Sequence, residues 1–205
     1  SYNKQTFTFT RAVMTLLLMM LTTATTWADN VTPLTSTTST TWTSGTYVTN
    51  GEVTIANRIT VTGNVTLILT DGCTLNAKLG IEVRVGNSLT IEGGTNGTGT
   101  LTIENEGGTR AGIGGGFNPK FGITKYKTQY GNITINGGTV HVKGGDQCAG
   151  IGGDFYSELD GNGTITINGG VVNATGGNKA SGIGGGNCGD GAKGGCGAIV
   201  INGIA

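Results

Sequence analysis

Ile133-Thr-Ile-Asn-Gly-Gly138 recurs 32 residues later as Ile165-Thr-Ile-Asn-Gly-Gly170, and Ile199-Val-Ile-Asn-Gly203 opens the phrase again after a further 34. A second signature follows at a constant distance. Ala149-Gly-Ile-Gly-Gly153 and Ser181-Gly-Ile-Gly-Gly185 place Ile151 and Ile183 sixteen positions after Ile135 and Ile167. Upstream, Leu101-Thr-Ile-Glu104 lies 32 residues before Ile133 and leads into Ala111-Gly-Ile-Gly-Gly-Gly116, so it reads as a degenerate earlier copy. A period of this size marks a solenoid, whose units bury their apolar faces only by stacking on one another.

Within each copy, apolar and polar residues alternate in short bursts, as in Ile133-Thr-Ile135 and Val140-His-Val142. Period two marks a strand with one buried face. No stretch after residue 30 has the 3.6-residue spacing of an amphipathic helix. Glycine pairs such as Gly137-Gly138, Gly144-Gly145 and Gly152-Gly153 stand between the bursts, where the chain must turn sharply. One copy is therefore three short strands joined by glycine corners, followed by a loop. The expected fold is all-β, a parallel β-helix with repeats of about 32 residues. Equivalent residues then stack. Asn136, Asn168 and Asn202 form an amide ladder, and Thr90, Thr102, Thr134 and Thr166 an outward threonine column. A single such column argues for an exposed strand rather than an ice-binding face.

The composition agrees. Glycine supplies 41 of 205 residues, charged residues only 12%, and twelve basic residues balance twelve acidic ones, which gives no reason to expect nucleic acid as a partner. At the start of the chain, Lys4 and Arg11 precede the apolar run Ala12–Leu21, and a polar stretch ends at Ala28. Residues 1–28 read as a secretory signal peptide, because the run is too short to span a bilayer unaided as a retained anchor would. The membrane enters only through this export signal, and the protein is expected to be secreted or at the cell surface. A Thr/Ser-rich linker covers 29–41 and passes into an N-terminal cap near Trp42, and the β-helix runs over 42–205. The start at Ser1 and the stop soon after a repeat opens read as a chain truncated at the C-terminus.

The succession Gly63-Asn-Val-Thr-Leu-Ile-Leu-Thr-Asp-Gly72, Gly80-Ile-Glu-Val-Arg-Val85, Leu89-Thr-Ile-Glu-Gly93 and then the Gly-Ile-Gly-Gly repeats resembles a group of secreted bacterial proteins. These are right-handed parallel β-helices of pectate-lyase-like shape, and the resemblance covers roughly residues 45–205. It implies the architecture and its handedness. It implies no site, because no catalytic motif of the pectate lyases maps onto this chain and the fold hosts lyases, hydrolases, adhesins and spacers alike.

Candidate chemistry lies in the loops after each Gly-Ile-Gly-Gly signature. Phe117, Phe121, Tyr126 and Tyr130 belong to the first, and Asp154, Phe155, Tyr156, Glu158 and Asp160 to the second. Stacking would bring these loops to one side, where aromatic rings rimmed by polar groups suit the apolar faces and hydroxyls of sugars. Phe117, Tyr126, Tyr130, Asp154, Phe155, Tyr156 and Asp160 are thus the candidate contacts for a polysaccharide or cell-surface glycan. The plainer alternative is that the rings only cover the side of the helix. No metal site or cofactor is expected, although Asp154, Glu158, Asp160 and Asp190 leave calcium open. Cys73 and Cys148 read as small buried fillers. Cys188 and Cys196 bracket one loop and either close a disulfide or stay apart. His141 alternates with Val140 and Val142 and should face outward. The expected function is a non-enzymatic surface, adhesive or glycan-binding module. The alternative is a polysaccharide lyase or glycoside hydrolase of β-helix fold.

Overall fold

The computed structural model describes residues 31–105, 108–115, 128–156, 162–188 and 194–202. Residues 1–28, read above as a signal peptide, lie outside them. The chain divides into two units, Ser1–Val31 and Thr32–Ala205, and the second holds the stacked coils.

Sixteen strands are described, and no helix occurs among the described residues. After β1 (Val31–Pro33), the chain winds through three faces. The first face stacks the opening residues of β4 (Ile59–Leu69) on β6 (Ile81–Val83), β9 (Ile113–Gly114), β12 (Ile151–Gly152) and β15 (Ile183–Gly184). The second stacks the later residues of β4 on β7 (Ser88–Gly93), β10 (Asn132–Ile135), β13 (Ile165–Ile167) and β16 (Ile199–Ile201). The third stacks β3 (Glu52–Ile55), β5 (Thr74–Ala77), β8 (Thr100–Glu104), β11 (Thr139–Lys143) and β14 (Val171–Thr175). Every one of these pairings is parallel. The architecture is an all-β parallel β-helix. At the start, β2 (Thr41–Thr49) crosses the first and second faces in one strand, with a register shift between Thr43 and Gly45.

Alternation decides which residues turn inward. Ile59, Ile81, Ile113 and Ile151 form one fully buried column, and Leu67, Ile91 and Ile135 belong to another. Each aliphatic side chain taken from water in this way contributes about 1.5–3 kcal/mol. β-Branched residues dominate because they pack well on a pleated surface. Trp42 belongs to the stack itself. It lies within β2, pairs with Val61, is fully buried and stacks on Tyr47 at 4.7 Å. Leu34, in the stretch read as linker, is also buried, and its amide bonds Val48 O at 2.8 Å.

The register bears out a repeat of about 32 residues and shows how far single coils depart from it. Ile59, Ile81, Ile113, Ile151 and Ile183 are successive partners, so coils advance by 22, 32, 38 and 32 residues. What stays constant is the stacked cross-section, and the loops vary. Leu101-Thr-Ile103 is not an earlier copy of Ile133-Thr-Ile135. It pairs with Val140-His-Val142 on the third face, while Leu89-Thr-Ile91 is the partner of Ile133-Thr-Ile135. Thr102 therefore leaves the threonine column, which runs Thr46, Thr66, Thr90, Thr134, Thr166.

The Gly-Ile-Gly signature has a steric cause. Gly114 and Gly152 take φ of +146° and +127°, and a Cβ on either would strike the carbonyl of the glycine in the next coil. Only a side chain of one hydrogen permits that stacking.

Candidate binding surfaces

The turn between the second and third faces carries the amide ladder. Asn202 Nδ2 donates to Asn168 Oδ1 (2.6 Å), Asn168 Nδ2 to Asn136 Oδ1 (2.7 Å), and Asn136 Nδ2 to Glu92 Oε1 (2.6 Å). Glu92 thus heads the ladder, whereas Glu104 pairs with Lys143 on the third face. All four side chains are occupied with one another, which makes this a structural element.

A second polar cluster lies against the first face. The buried Glu82 carboxylate meets Arg84 Nε, Arg58 Nε at 3.8 Å and Arg110 Nη1 at 4.0 Å. Arg58 also donates through Nη1 to Leu79 O (2.7 Å) and Ala111 O (2.9 Å), tying coils together. Burial lowers the pKa of Arg58, against the opposing pull of Asp154 and Glu82. Asp154 is fully buried. Its Oδ1 accepts the Ala111 amide, and its Oδ2 has no partner. Burial pushes its pKa up to about 7, against the pull of Arg58. Cys148 beside it is raised to about 12, first by burial and then by the Asp154 charge. Glu82, Asp154 and Cys148 are closed to solvent, while Arg84 and Arg110 reach it.

The fold withdraws two of the expected contacts, Tyr130 and Asp154, from the surface. Tyr130 is fully buried, and its hydroxyl accepts the Gly197 amide at 2.7 Å, so it holds coils together instead of facing a ligand. Asp154 is likewise interior, because the turn after β12 directs it beneath Ala111 rather than outward. Phe155 and Tyr156 remain half-buried, with ring centroids 3.9 Å apart. Phe117, Phe121, Tyr126, Glu158, Asp160 and Asp190 lie outside the described residues. Cys73 and Cys148 are buried, as fillers should be, and no disulfide joins Cys188 to Cys196. Among the described residues, no group of three His, Cys, Asp or Glu is placed to hold a metal ion.

The open surface lies on the third face. There the outward residues Thr54, Asn76, Thr102, His141 and Asn173 are successive register partners. With Lys78 and Glu104, the first three line a depression of about 490 Å³. A second of about 230 Å³ shares Thr102 and Glu104 with it and continues past His141, Lys143, Asn173 and Thr175. Asn173 Nδ2 lies 3.2 Å from His141 Nδ1, and donating there leaves the imidazole Nε2–H outward. All ion pairs among the described residues converge on Glu82, so Lys78, Glu104 and Lys143 present charges uncommitted to partners. The outward orientation of His141 was readable from alternation. Its neighbours were not, because they arrive from coils whose loops differ in length.

Residues 133–155 and 165–187 each match the family model described as a beta helix repeat. The two matches fall on the coils that carry the most regular signatures. No curated protein and no solved structure matches the chain.

Proposed function

We propose that this chain is a non-catalytic carbohydrate-binding β-helix, exported through its N-terminal leader and displayed outside the cell as an adhesive or glycan-holding surface. The observation that carries the reading is the pair of adjoining polar depressions along the third face, where Lys78, Glu104 and Lys143, without an ion-pair partner among the described residues, stand among hydroxyl, amide and imidazole groups. A row of mixed donors and acceptors on rigid strands matches the hydroxyls of an extended sugar chain, and rigid strands hold it without a cost in loop ordering. The alternative, a lyase or glycoside hydrolase, is less well supported. Among the described residues the depressions are lined by one carboxylate, Glu104, whereas hydrolysis by the common route uses two.

The test is a glycan-array screen of the protein beside an Asn76→Ala/His141→Ala variant, run with an ultraviolet assay for unsaturated lyase products and a reducing-end assay for hydrolysis. Array binding that the variant loses, with no new product, is the expected result. Binding unchanged in the variant removes the third face from consideration. Accumulating product overturns the non-catalytic reading.

A further inference from the structure

A separate cavity of about 250 Å³ sits at the corner where the chain passes from the first face to the second. Asn64, Asn87, Asn132 and Asn162 line it with Ser88 and Val85, and the rest of the wall is glycine backbone. The asparagines come from four successive coils, and the fold fixes their orientation. Asn87 Oδ1 accepts the Gly63 amide (2.7 Å), Asn132 Oδ1 the Thr164 amide (2.9 Å) and Asn162 Oδ1 the Tyr130 amide (3.1 Å). A main-chain N–H can only donate, so these contacts leave no freedom to exchange amide oxygen for nitrogen. Asn64 Oδ1 is likewise taken by the Ser88 hydroxyl at 2.8 Å. The four carbonyl ends are consumed, which leaves the NH2 ends of Asn64, Asn87 and Asn132 to account for. Asn87 Nδ2 is used on Arg84 O (3.1 Å), but those of Asn64 and Asn132 have no acceptor among the described residues, and both side chains are exposed. Val85 stands beside them 52% exposed, its amide bonded to Gln129 O (3.3 Å) on the chain that leads into Asn132.

The corner therefore offers outward amide donors next to one aliphatic surface, with no charged side chain in its lining among the described residues. We propose that it is a second carbohydrate subsite, specific for an acetamido sugar. The acetamido carbonyl accepts from Asn132 Nδ2 and its methyl group rests on Val85. Asn64 is two strands away along the stack, about 10 Å, and its amide reaches a hydroxyl or acetamido group on the adjoining sugar residue. A sugar bearing a plain hydroxyl at that position fills neither the strong acceptor role nor the apolar contact. The site lies on a different edge of the helix from the third-face depression and does not depend on it.

Titration calorimetry of the full chain with an N-acetylhexosamine disaccharide and with the matching hexose disaccharide, which bears a hydroxyl in place of each acetamido group, tests this. The N-acetylated ligand should bind about tenfold or more tightly than the counterpart, the effect of one good hydrogen bond plus a buried methyl. Asn132→Asp is the informative variant, because it keeps the acceptor for the Thr164 amide while removing the outward donor. It should weaken binding about tenfold, and Val85→Thr, which preserves shape, should weaken it in the same direction. The Asn76→Ala/His141→Ala variant should bind the disaccharide unchanged. Equal affinity for both sugars, no binding of the N-acetylated one, or an Asn132→Asp variant indistinguishable from the parent each overturns the proposal. Loss of binding in the third-face variant alone also overturns it, and would assign the ligand to that depression.

Discussion

At the scale of single residues, the interior polar groups make the sharpest predictions. Asp154 has a folded-state pKa of about 7 against an ordinary 3.8, because burial disfavours its charge. Above about pH 7 both folded and unfolded chains hold it ionised, and folding bears the full cost of burying the anion. As pH falls toward 4, the folded chain takes up a proton that the unfolded chain does not, so stability should rise. The swing is on the order of a few kcal/mol. This runs opposite to ordinary acid denaturation. Urea midpoints measured between pH 4 and 8 should rise on acidification, and Asp154→Asn should flatten the profile in that window. A parent profile already flat would show that Asp154 is not buried as an anion. The ladder gives a second contrast. Asn136 both donates to Glu92 and accepts from Asn168, so Asn136→Ala orphans two partners and should cost about 2 kcal/mol. Glu92→Gln keeps an acceptor for Asn136 and should cost less than about 1 kcal/mol. Equal losses in denaturation midpoints would mean that the charge, not the hydrogen bond, anchors the ladder.

At the scale of elements, strand existence was legible in the sequence, but strand address was not. Ile133-Thr-Ile135 and Leu101-Thr-Ile103 are the same local statement, an apolar–Thr–apolar burst, and they belong to different faces. A coincidental spacing of 32 residues made them look equivalent. The register could not be read because the chain between β9 and β10 is longer than its counterparts, and loop length is cheap to vary in a solenoid. Tyr130 misled for a related reason. It lies at the end of a loop rich in aromatics, and nothing local says that its hydroxyl will accept the amide of Gly197 two coils on. The Gly-Ile-Gly signature, by contrast, was legible because its cause is local to the stack. Gly152→Ala would combine a left-handed φ with a collision against the Gly184 carbonyl, and should cost about 3 kcal/mol or more. Gly86→Ala shares a positive φ of 85° but meets nothing within 4 Å, and should cost about 1–2 kcal/mol. Thermal unfolding of the two variants separates strain from steric exclusion, and a Gly152→Ala loss no larger than that of Gly86→Ala would deny the close stacking.

At the scale of the molecule, a parallel β-helix turns local alternation into long rows, and the proposed function rests on one of them. A single coil offers one outward side chain per face at each register position, too little to hold a sugar chain. Five strands on the third face place Thr54, Asn76, Thr102, His141 and Asn173 in a line, spanning about 19 Å at the usual strand spacing. A ligand lying along that row gains contacts strand by strand, so affinity for an oligosaccharide series should climb with length and level off once the ligand covers the row. Substitutions should act by position as well. Asn76→Ala, near one end of the row, should weaken short and long ligands unequally, because a short ligand can shift toward His141 and a long one cannot. Thr134→Ala, on the second face, should leave the whole series unchanged while perturbing stability only slightly. Calorimetric titration of each variant against ligands of increasing length reads both effects together. Affinity independent of length would mean that any sugar is held at one point, and the row would then be the exposed side of a scaffold whose recognition resides elsewhere on the helix.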